Sequence, residues 1–243
     1  MSAPRFYCPD IPSGSGFADL PEQAAHHAAR VLRLKVGDQV SVFNGCGGEG
    51  EARITAIGKH SVAVEIAAWR ETERESPLQV TLAQAISAGE KMDYTLQKAV
   101  ELGIAAIQPL ASERSVVRLA GERAEKRVAH WQGVVISACE QSGRNRVPAV
   151  APIRPLVDWL AGQEGPGLRL MLAPGAASRL HDLIRPAGPV TLLVGPEGGF
   201  SPAEAGLALR FGFTPVRLGA RVLRTETAAL AALAAIQTLW GDF

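Results

Sequence analysis

The sequence predicts an α/β protein whose larger, C-terminal part carries a mostly parallel sheet, preceded by a small β-barrel domain. Three observations predict it. From Leu78 onward, short apolar runs alternate strictly with helical stretches, which implies helices layered on a parallel sheet. Between Val36 and Ile66 the period is instead two, broken by glycine turns at Asn44-Gly45, Gly47-Gly48 and Gly58. The charged run Arg70-Glu-Thr-Glu-Arg-Glu-Ser-Pro77 separates the two patterns and reads as a linker, giving domains at 1–72 and 73–243.

Composition narrows the class. The chain has 243 residues, 47% of them hydrophobic and 20% charged, as expected of a globular protein with a sizeable core. No apolar run approaches the length of a transmembrane helix, and the first ten residues lack the apolar region of a secretory signal, so a cytoplasmic enzyme is expected. Cys8, Cys46 and Cys139 are far apart and odd in number, which suggests neither a disulfide framework nor a zinc site. The net charge of +1 argues neither for nor against nucleic acid; only local clustering of cations can.

In the first domain, Leu20 to Arg33 predicts a short helix with Asp19 as a possible cap. The runs 38–43, 51–56 and 61–66 then predict an antiparallel barrel of a kind that often binds RNA. His26 and His27 lack plausible metal partners. In the second domain, strands are expected at 78–86, 104–110 and 168–173. Helices are expected at 91–102, at 122–141 with Val128, Trp131, Val135 and Ala138 as its apolar stripe, at 156–160 and at 179–184. Lys98 and Glu101, three apart on a helix, read as a surface pair, and Cys139 beside the stripe reads as packing rather than a nucleophile.

The most informative stretch is Val190 to Glu204. Thr191 to Val194 is a short buried strand, Gly195-Pro-Glu-Gly-Gly-Phe200 a glycine loop, and Ser201-Pro-Ala-Glu204 a capping box with proline at the first helical position. A strand that ends in a glycine loop and opens a helix aims several backbone N–H groups at one spot, which makes a ligand platform. It lacks the lysine of a phosphate-binding loop and the spacing of a dinucleotide fold, so a Rossmann dehydrogenase is disfavoured. The construction recurs as strand Pro215 to Leu218, loop Gly219 to Arg224, and a long Ala/Leu-rich helix opened by Thr225 or Thr227.

These two loops, with Lys91-Met-Asp…Gln97-Lys-Ala…Glu101-Leu-Gly103, Ser112-Glu-Arg-Ser115 and Glu140-Gln-Ser-Gly-Arg144, resemble the bacterial small-subunit ribosomal RNA methyltransferase E family of the SPOUT class. Arg5-Phe6, His27…Val31-Leu-Arg33 and Gly37-Asp38 are similar to its PUA-like N-terminal domain, so the resemblance covers nearly the whole chain. Ala88, where many members carry lysine, is a departure that puts a basic contact in that loop in doubt. The resemblance implies methylation of uridine N3 in 16S rRNA, S-adenosylmethionine as cofactor, a deep C-terminal trefoil knot, a homodimer, and action on the assembled small subunit. It implies a cofactor slot from Leu172, Ala173 and Pro174, from Gly195, Pro196, Glu197 and Gly198, and from Leu218, Gly219, Val222, Leu223, Arg224, Thr225 and Thr227. Arg5, Arg30, Arg33, Arg114, Arg144 and Arg146 are the RNA-binding candidates, with Lys35 beside them.

Loss of the N3 proton needs a nearby cation to stabilise charge or a carboxylate to accept it. Arg224 and Glu197 are the local candidates, with Arg114 and Arg144 possible from elsewhere; none is a secure base. Position alone leaves Arg114 and Arg144 between a substrate contact and an ordinary structural role. Two other readings stay open at this point: a methyltransferase for transfer or large-subunit RNA, and a non-catalytic RNA-binding assembly factor.

Overall fold

The computed structural model describes residues 3–163 and 165–243. These divide into two compact units: residues through Glu75 with Ile136–Val147, and Ser76–Val135 with Pro148–Phe243.

The first unit contains β1 (Arg5–Tyr7), β2 (Gly16–Asp19), β3 (Gln39–Phe43), β4 (Glu49–Ile57) and β5 (Val62–Arg70), in the sheet order β1-β3-β4-β5-β2. The predicted antiparallel pairs are present, and β1 adds a parallel pair with β3 that two-residue alternation alone does not reveal. Alternation puts Val62, Val64 and Ile66 of β5 inside, against Val40, Val42 and Ile54. Helix α1 (Glu22–His26) continues as a wider helical turn, His27–Val31, and covers this core with Ala24, Ala25 and Ala28. Asp19 does not cap α1: it is paired with Ala63 in the sheet, and Pro21 precedes the helix with no side-chain cap.

The second unit is built on β6 (Val80–Ala85), β7 (Ala106–Ala111), β8 (Ala149–Val150), β9 (Arg154–Pro155), β10 (Leu168–Leu172), β11 (Val190–Val194) and β12 (Thr214–Val216). Their order is β12-β10-β11-β6-β7-β8, with β9 also on β7, and every pair is parallel. Near-continuous burial along β6 and β11 is what a parallel sheet covered on both faces demands. Its helices are α2 (Lys91–Glu101), α3 (Gly121–Ser142, whose last turns belong to the first unit), α4 (Leu156–Ala161), α5 (Pro202–Arg210) and α6 (Thr225–Trp240). Trp131, Val135 and Ala138 of α3 are buried as the stripe predicts. The helix expected over 179–184 is only a tight turn at Leu180–Asp182, because Arg179 is extended and bridges Arg217.

Beyond β7 and β8 the chain crosses back, so that β11 lies on the other side of β6. Such a reversal leaves a crevice at the C-terminal strand ends. From the edge strand β12 the chain then returns to mid-sheet. The side chain of Thr225, the first residue of α6, bonds Gly195 beyond β11 and Gln84 of β6. One face of α6 is buried through Ala229, Ala232, Leu233, Ile236 and Trp240, and the helix packs on α2.

Candidate active site

At the C-terminal ends of β10, β11 and β12 lies a cavity of about 810 Å³. The Gly195–Phe200 loop forms one wall. It turns at Gly199, whose φ of +65° suits glycine and whose N–H donates to the Pro196 carbonyl at 2.9 Å. Ser201 then caps α5: its hydroxyl accepts the Glu204 N–H (3.3 Å) while the Glu204 carboxylate accepts the Ser201 N–H (2.9 Å). The other Glu204 oxygen accepts the N–H of Glu113 at 2.7 Å, tying in the Ser112–Ser115 segment that follows β7. From that segment Arg114 donates to the Gly198 carbonyl at 3.1 Å.

Glu197 is tied as well. Its carboxylate accepts the Ala88 N–H at 3.1 Å and pairs with Lys91 at 3.0 Å. Partial burial pushes this carboxyl up, but backbone donors and Lys91 outweigh that and hold it below the usual carboxylate range. It is therefore ionised at neutral pH and a poor proton acceptor. Thr225 completes the wall: its hydroxyl donates to the Gly195 carbonyl at 2.6 Å and accepts from Gln84 at 3.1 Å. The hydroxyl expected to cap α6 is thus used elsewhere, and Arg224, extended, stands at the cap position without a side-chain bond.

The opposite wall is the Arg217–Arg224 loop. Among the described residues, five cations line the cavity (Lys91, Arg114, Arg217, Arg221 and Arg224) against one carboxylate, Glu197. This clustering, invisible in a net charge of +1, gives the cavity a positive potential. Between these groups the surface is apolar, from Met171, Leu172, Val194, Phe200, Val216 and Leu223.

The family of RNA methyltransferase domains matches residues 74–237, and that of RNA methyltransferase PUA domains matches residues 20–67. Ribosomal RNA small subunit methyltransferase E of Buchnera aphidicola (Schizaphis graminum) is 34% identical, covering 98% of this chain and 97% of that protein. The chain belongs to the ribosomal RNA small subunit methyltransferase E family. The Bacillus subtilis member is 32% identical over 88% of this chain and 87% of its own. The Neisseria gonorrhoeae member, whose crystal structure is bound to S-adenosyl methionine, is 47% identical with a TM-score of 0.93, each chain covered completely. A structure from Legionella pneumophila described as a methyltransferase with bound cofactor SAM is 40% identical with a TM-score of 0.96, again with complete coverage of both.

Of the cofactor positions expected from the sequence, the cavity gathers Leu172, Ala173 and Pro174, Gly195 to Gly198, Leu218 and Gly219, and Val222 to Thr225; Thr227 is not in its wall. Arg114 and Arg224 are there too, whereas Arg144 is not. Arg144 lies buried in the first unit, with Nε donating to Glu75 at 3.0 Å. Arg5 is in the same unit, paired with Glu49 and donating to Asn145. Burial pushes the Glu49 carboxyl up, but Arg5 and Arg74 outweigh it and hold it low. Arg30, Arg33 and Lys35 are exposed on the turn after α1, and Arg146 is exposed and paired with Glu73 at 2.9 Å. Arg33 is the one non-glycine among the described residues with positive φ (55°).

Lys98 and Glu101 form the expected surface pair at 2.8 Å. Cys139 is fully buried, its thiol pushed up to about 12 by that burial, so it stays protonated and serves packing. Among the described residues no three His, Cys, Asp or Glu side chains are placed to hold a metal ion. Sequence reasoning missed Lys91, Arg217 and Arg221 as cavity residues, although each lay in a motif already singled out. It also missed Gln84, whose signal was a long polar side chain inside a mostly apolar strand.

Proposed function

We propose that this protein transfers the methyl group of S-adenosylmethionine to N3 of a uridine in 16S rRNA of the small ribosomal subunit. The carrying observation is the cavity itself: an apolar slot between two glycine loops, rimmed by cations, at the C-terminal ends of three parallel strands. An adenine and ribose fit its apolar surface, with backbone groups at Gly195 and Leu218 as hydrogen-bonding partners and Leu223 packing on the base. When bound, this cofactor supplies an electrophilic methyl group for in-line displacement.

The chain's own residues then have separable tasks. Thr225, Glu197 and Arg114 hold the Gly195–Phe200 loop in one conformation, which keeps donor and acceptor in register. Arg114 and Arg224 set a positive potential where uridine N3 loses its proton to solvent water, stabilising the anionic base that takes the methyl group. Glu197, low in pKa and engaged by Lys91, organises the loop rather than taking the proton. N3 lies on the pairing edge, so the uridine must enter unpaired or extruded. Residues 1–72 act as the RNA-binding domain through Arg30, Arg33 and Lys35, with Arg146 beyond them, and residues 73–243 as the catalytic domain. The active form is a cytoplasmic homodimer with a knotted C-terminus; half-buried Leu230, Ala231 and Ala234 with exposed Leu239 offer α6 an apolar stripe for a partner.

The test incubates purified protein with methyl-labelled S-adenosylmethionine and, in parallel, small subunits, large subunits and transfer RNA from cells lacking the modification, then identifies labelled nucleosides by mass spectrometry. Labelled 3-methyluridine is expected. Label in another nucleoside overturns the choice of atom, and label only in other RNAs overturns the choice of substrate. Cofactor binding without any transfer favours a non-catalytic assembly factor.

A further inference from the structure

We infer that Glu204 is a positioning residue for methyl transfer: its carboxylate locks the Ser112–Ser115 segment to the start of α5 and thereby fixes Arg114 over the cavity. This rests on the function proposed above and goes beyond it, since Glu204 does not line that cavity.

A capping box needs only the reciprocal bonds between Ser201 and Glu204. Here Glu204 is 5% exposed. No cation pairs with it among the described residues. Burying an unpaired carboxylate is costly unless hydrogen bonds and a helix N-terminus stabilise the charge. Its two oxygens each accept one backbone N–H, from Ser201 at 2.9 Å and from Glu113 at 2.7 Å. The first bond serves the helix. The second serves a segment 91 residues away in sequence and has no part in capping.

That segment is stiff. Ser112 N–H donates to the Ser115 hydroxyl (3.3 Å), the two hydroxyls are 2.9 Å apart, and Ser115 N–H donates to the Ser112 carbonyl (3.1 Å). Holding Glu113 therefore holds Arg114, the next residue. Arg114 in turn runs along Gly198: a Cβ built there would lie 3.3 Å from Arg114 Cβ and 3.6 Å from its Cδ. Only the far end of Arg114 is left to the cavity, where its guanidinium bonds the Gly198 carbonyl. Glu204 thus spans the two segments from behind, while Arg114 spans them from the cavity side.

The test measures kcat, KM for small subunits and cofactor Kd for wild type, Glu204→Gln, Arg114→Ala, the double variant and Ser201→Ala, each with a thermal melt. Glutamine offers one acceptor where two N–H groups need one each, so one tie is lost while size is kept. In Glu204→Gln, kcat falls about 10- to 100-fold, as a displaced catalytic group predicts, with cofactor Kd changed less than about three-fold. In the Arg114→Ala background the same change adds little, because the residue through which it acts is already gone. Ser201→Ala weakens the cap, lowering the melting temperature, and costs kcat less than Glu204→Gln does. The inference is overturned if Glu204→Gln keeps kcat within about two-fold of wild type. It is equally overturned if its loss is multiplicative with that of Arg114→Ala, or if all of it appears in cofactor Kd. Should Glu204→Gln not fold, Glu204→Asp enters the same cycle and is judged by the same criteria. A wild type that transfers no methyl group instead refutes the proposed function and leaves the tie itself to be read from stability.

Discussion

The two loops that wall the cavity follow one plan, strand to glycine loop to helix, yet they are held in opposite ways. Gly195–Phe200 is tied at nearly every step: Thr225 to Gly195, Ala88 and Lys91 to Glu197, Arg114 to Gly198, and Gly199 back to Pro196. In Arg217–Arg224 the backbone is anchored at its two ends, by Arg217 N–H to Ser178 and by Ala228 N–H to Arg224. Among the described residues no hydrogen bond ties residues 218–223 to anything else, and Val222 is 79% exposed. A fixed loop sets the geometry of a reaction before any ligand arrives, whereas a free one closes on the ligand and bears an ordering cost when it does. The cavity therefore pairs a rigid wall with an adaptable one, and the adaptable wall carries three of the five cations.

The sharpest way to break this contrast is to loosen the rigid wall. Thr225→Val keeps the shape of a buried residue but takes the partner from the Gly195 carbonyl and leaves the Gln84 amide only its bond to the Ala85 carbonyl. Loss of about 1–2 kcal/mol in denaturant unfolding is expected, from one stranded carbonyl and one lost amide hydrogen bond, together with weaker cofactor binding in calorimetry. An unchanged unfolding midpoint would mean that the loop is not pinned through Thr225. A milder change acts on the same wall from the cavity side. Gly198→Ala places a methyl 3.3 Å from Arg114 Cβ, which shifts that side chain. A fall of about ten-fold in kcat with little change in melting temperature is expected from a displaced cation.

How much of this was readable from residues differs between the two walls. The strand, the glycine loop and the capping box at 190–204 are local patterns, and the structure has all three, because each depends only on near neighbours in sequence. The ties that make the loop rigid come from Ala88, Lys91, Arg114 and Thr225, each far from it in sequence and brought close by the strand order. Nothing local reports such partners. Thr225 shows the limit clearly: a threonine at a helix start reads as a cap, and only the fold turns its hydroxyl to Gly195. Gln84 left a trace, a polar residue in a buried run, but not the name of its partner. Arg144 left the opposite trace, since an arginine near an element's end suits a phosphate as well as it suits the half-buried Glu75 it meets.

The adaptable wall is tested by a substitution that leaves the fold alone. Arg221 is exposed and makes no ion pair among the described residues, so Arg221→Ser is expected to change unfolding free energy by less than about 0.5 kcal/mol. If the loop closes on RNA phosphate, the same change lowers the slope of log affinity against log salt by about 0.9, read from RNA binding over a salt series. A slope equal to that of the wild type would confine this loop to the cofactor.

The smallest effect separates a tie that shapes the loop from one that stabilises the protein. The carboxyl of Glu197 is held below its ordinary value in the folded protein, so its contribution is present above the unfolded pKa and is lost as pH falls through the folded one. Lys91 and Glu197 are about a third and a quarter exposed, and solvent screening limits such a pair to roughly 0.5 kcal/mol. Between pH 7 and pH 3 the stability difference between wild type and Glu197→Gln should therefore shrink by no more than about that amount, measured by denaturant unfolding at each pH. Activity need not follow so closely. The same carboxylate oxygen also holds the Ala88 N–H, and weakening both bonds, which the neutral amide oxygen of glutamine accepts less strongly, loosens Gly195–Phe200 while Thr225 still anchors its first residue. A kcat for Glu197→Gln that falls several-fold more than its stability loss predicts would show that the rigid wall serves register more than stability. A kcat that tracks stability alone would make Thr225 and Arg114 sufficient to hold that wall.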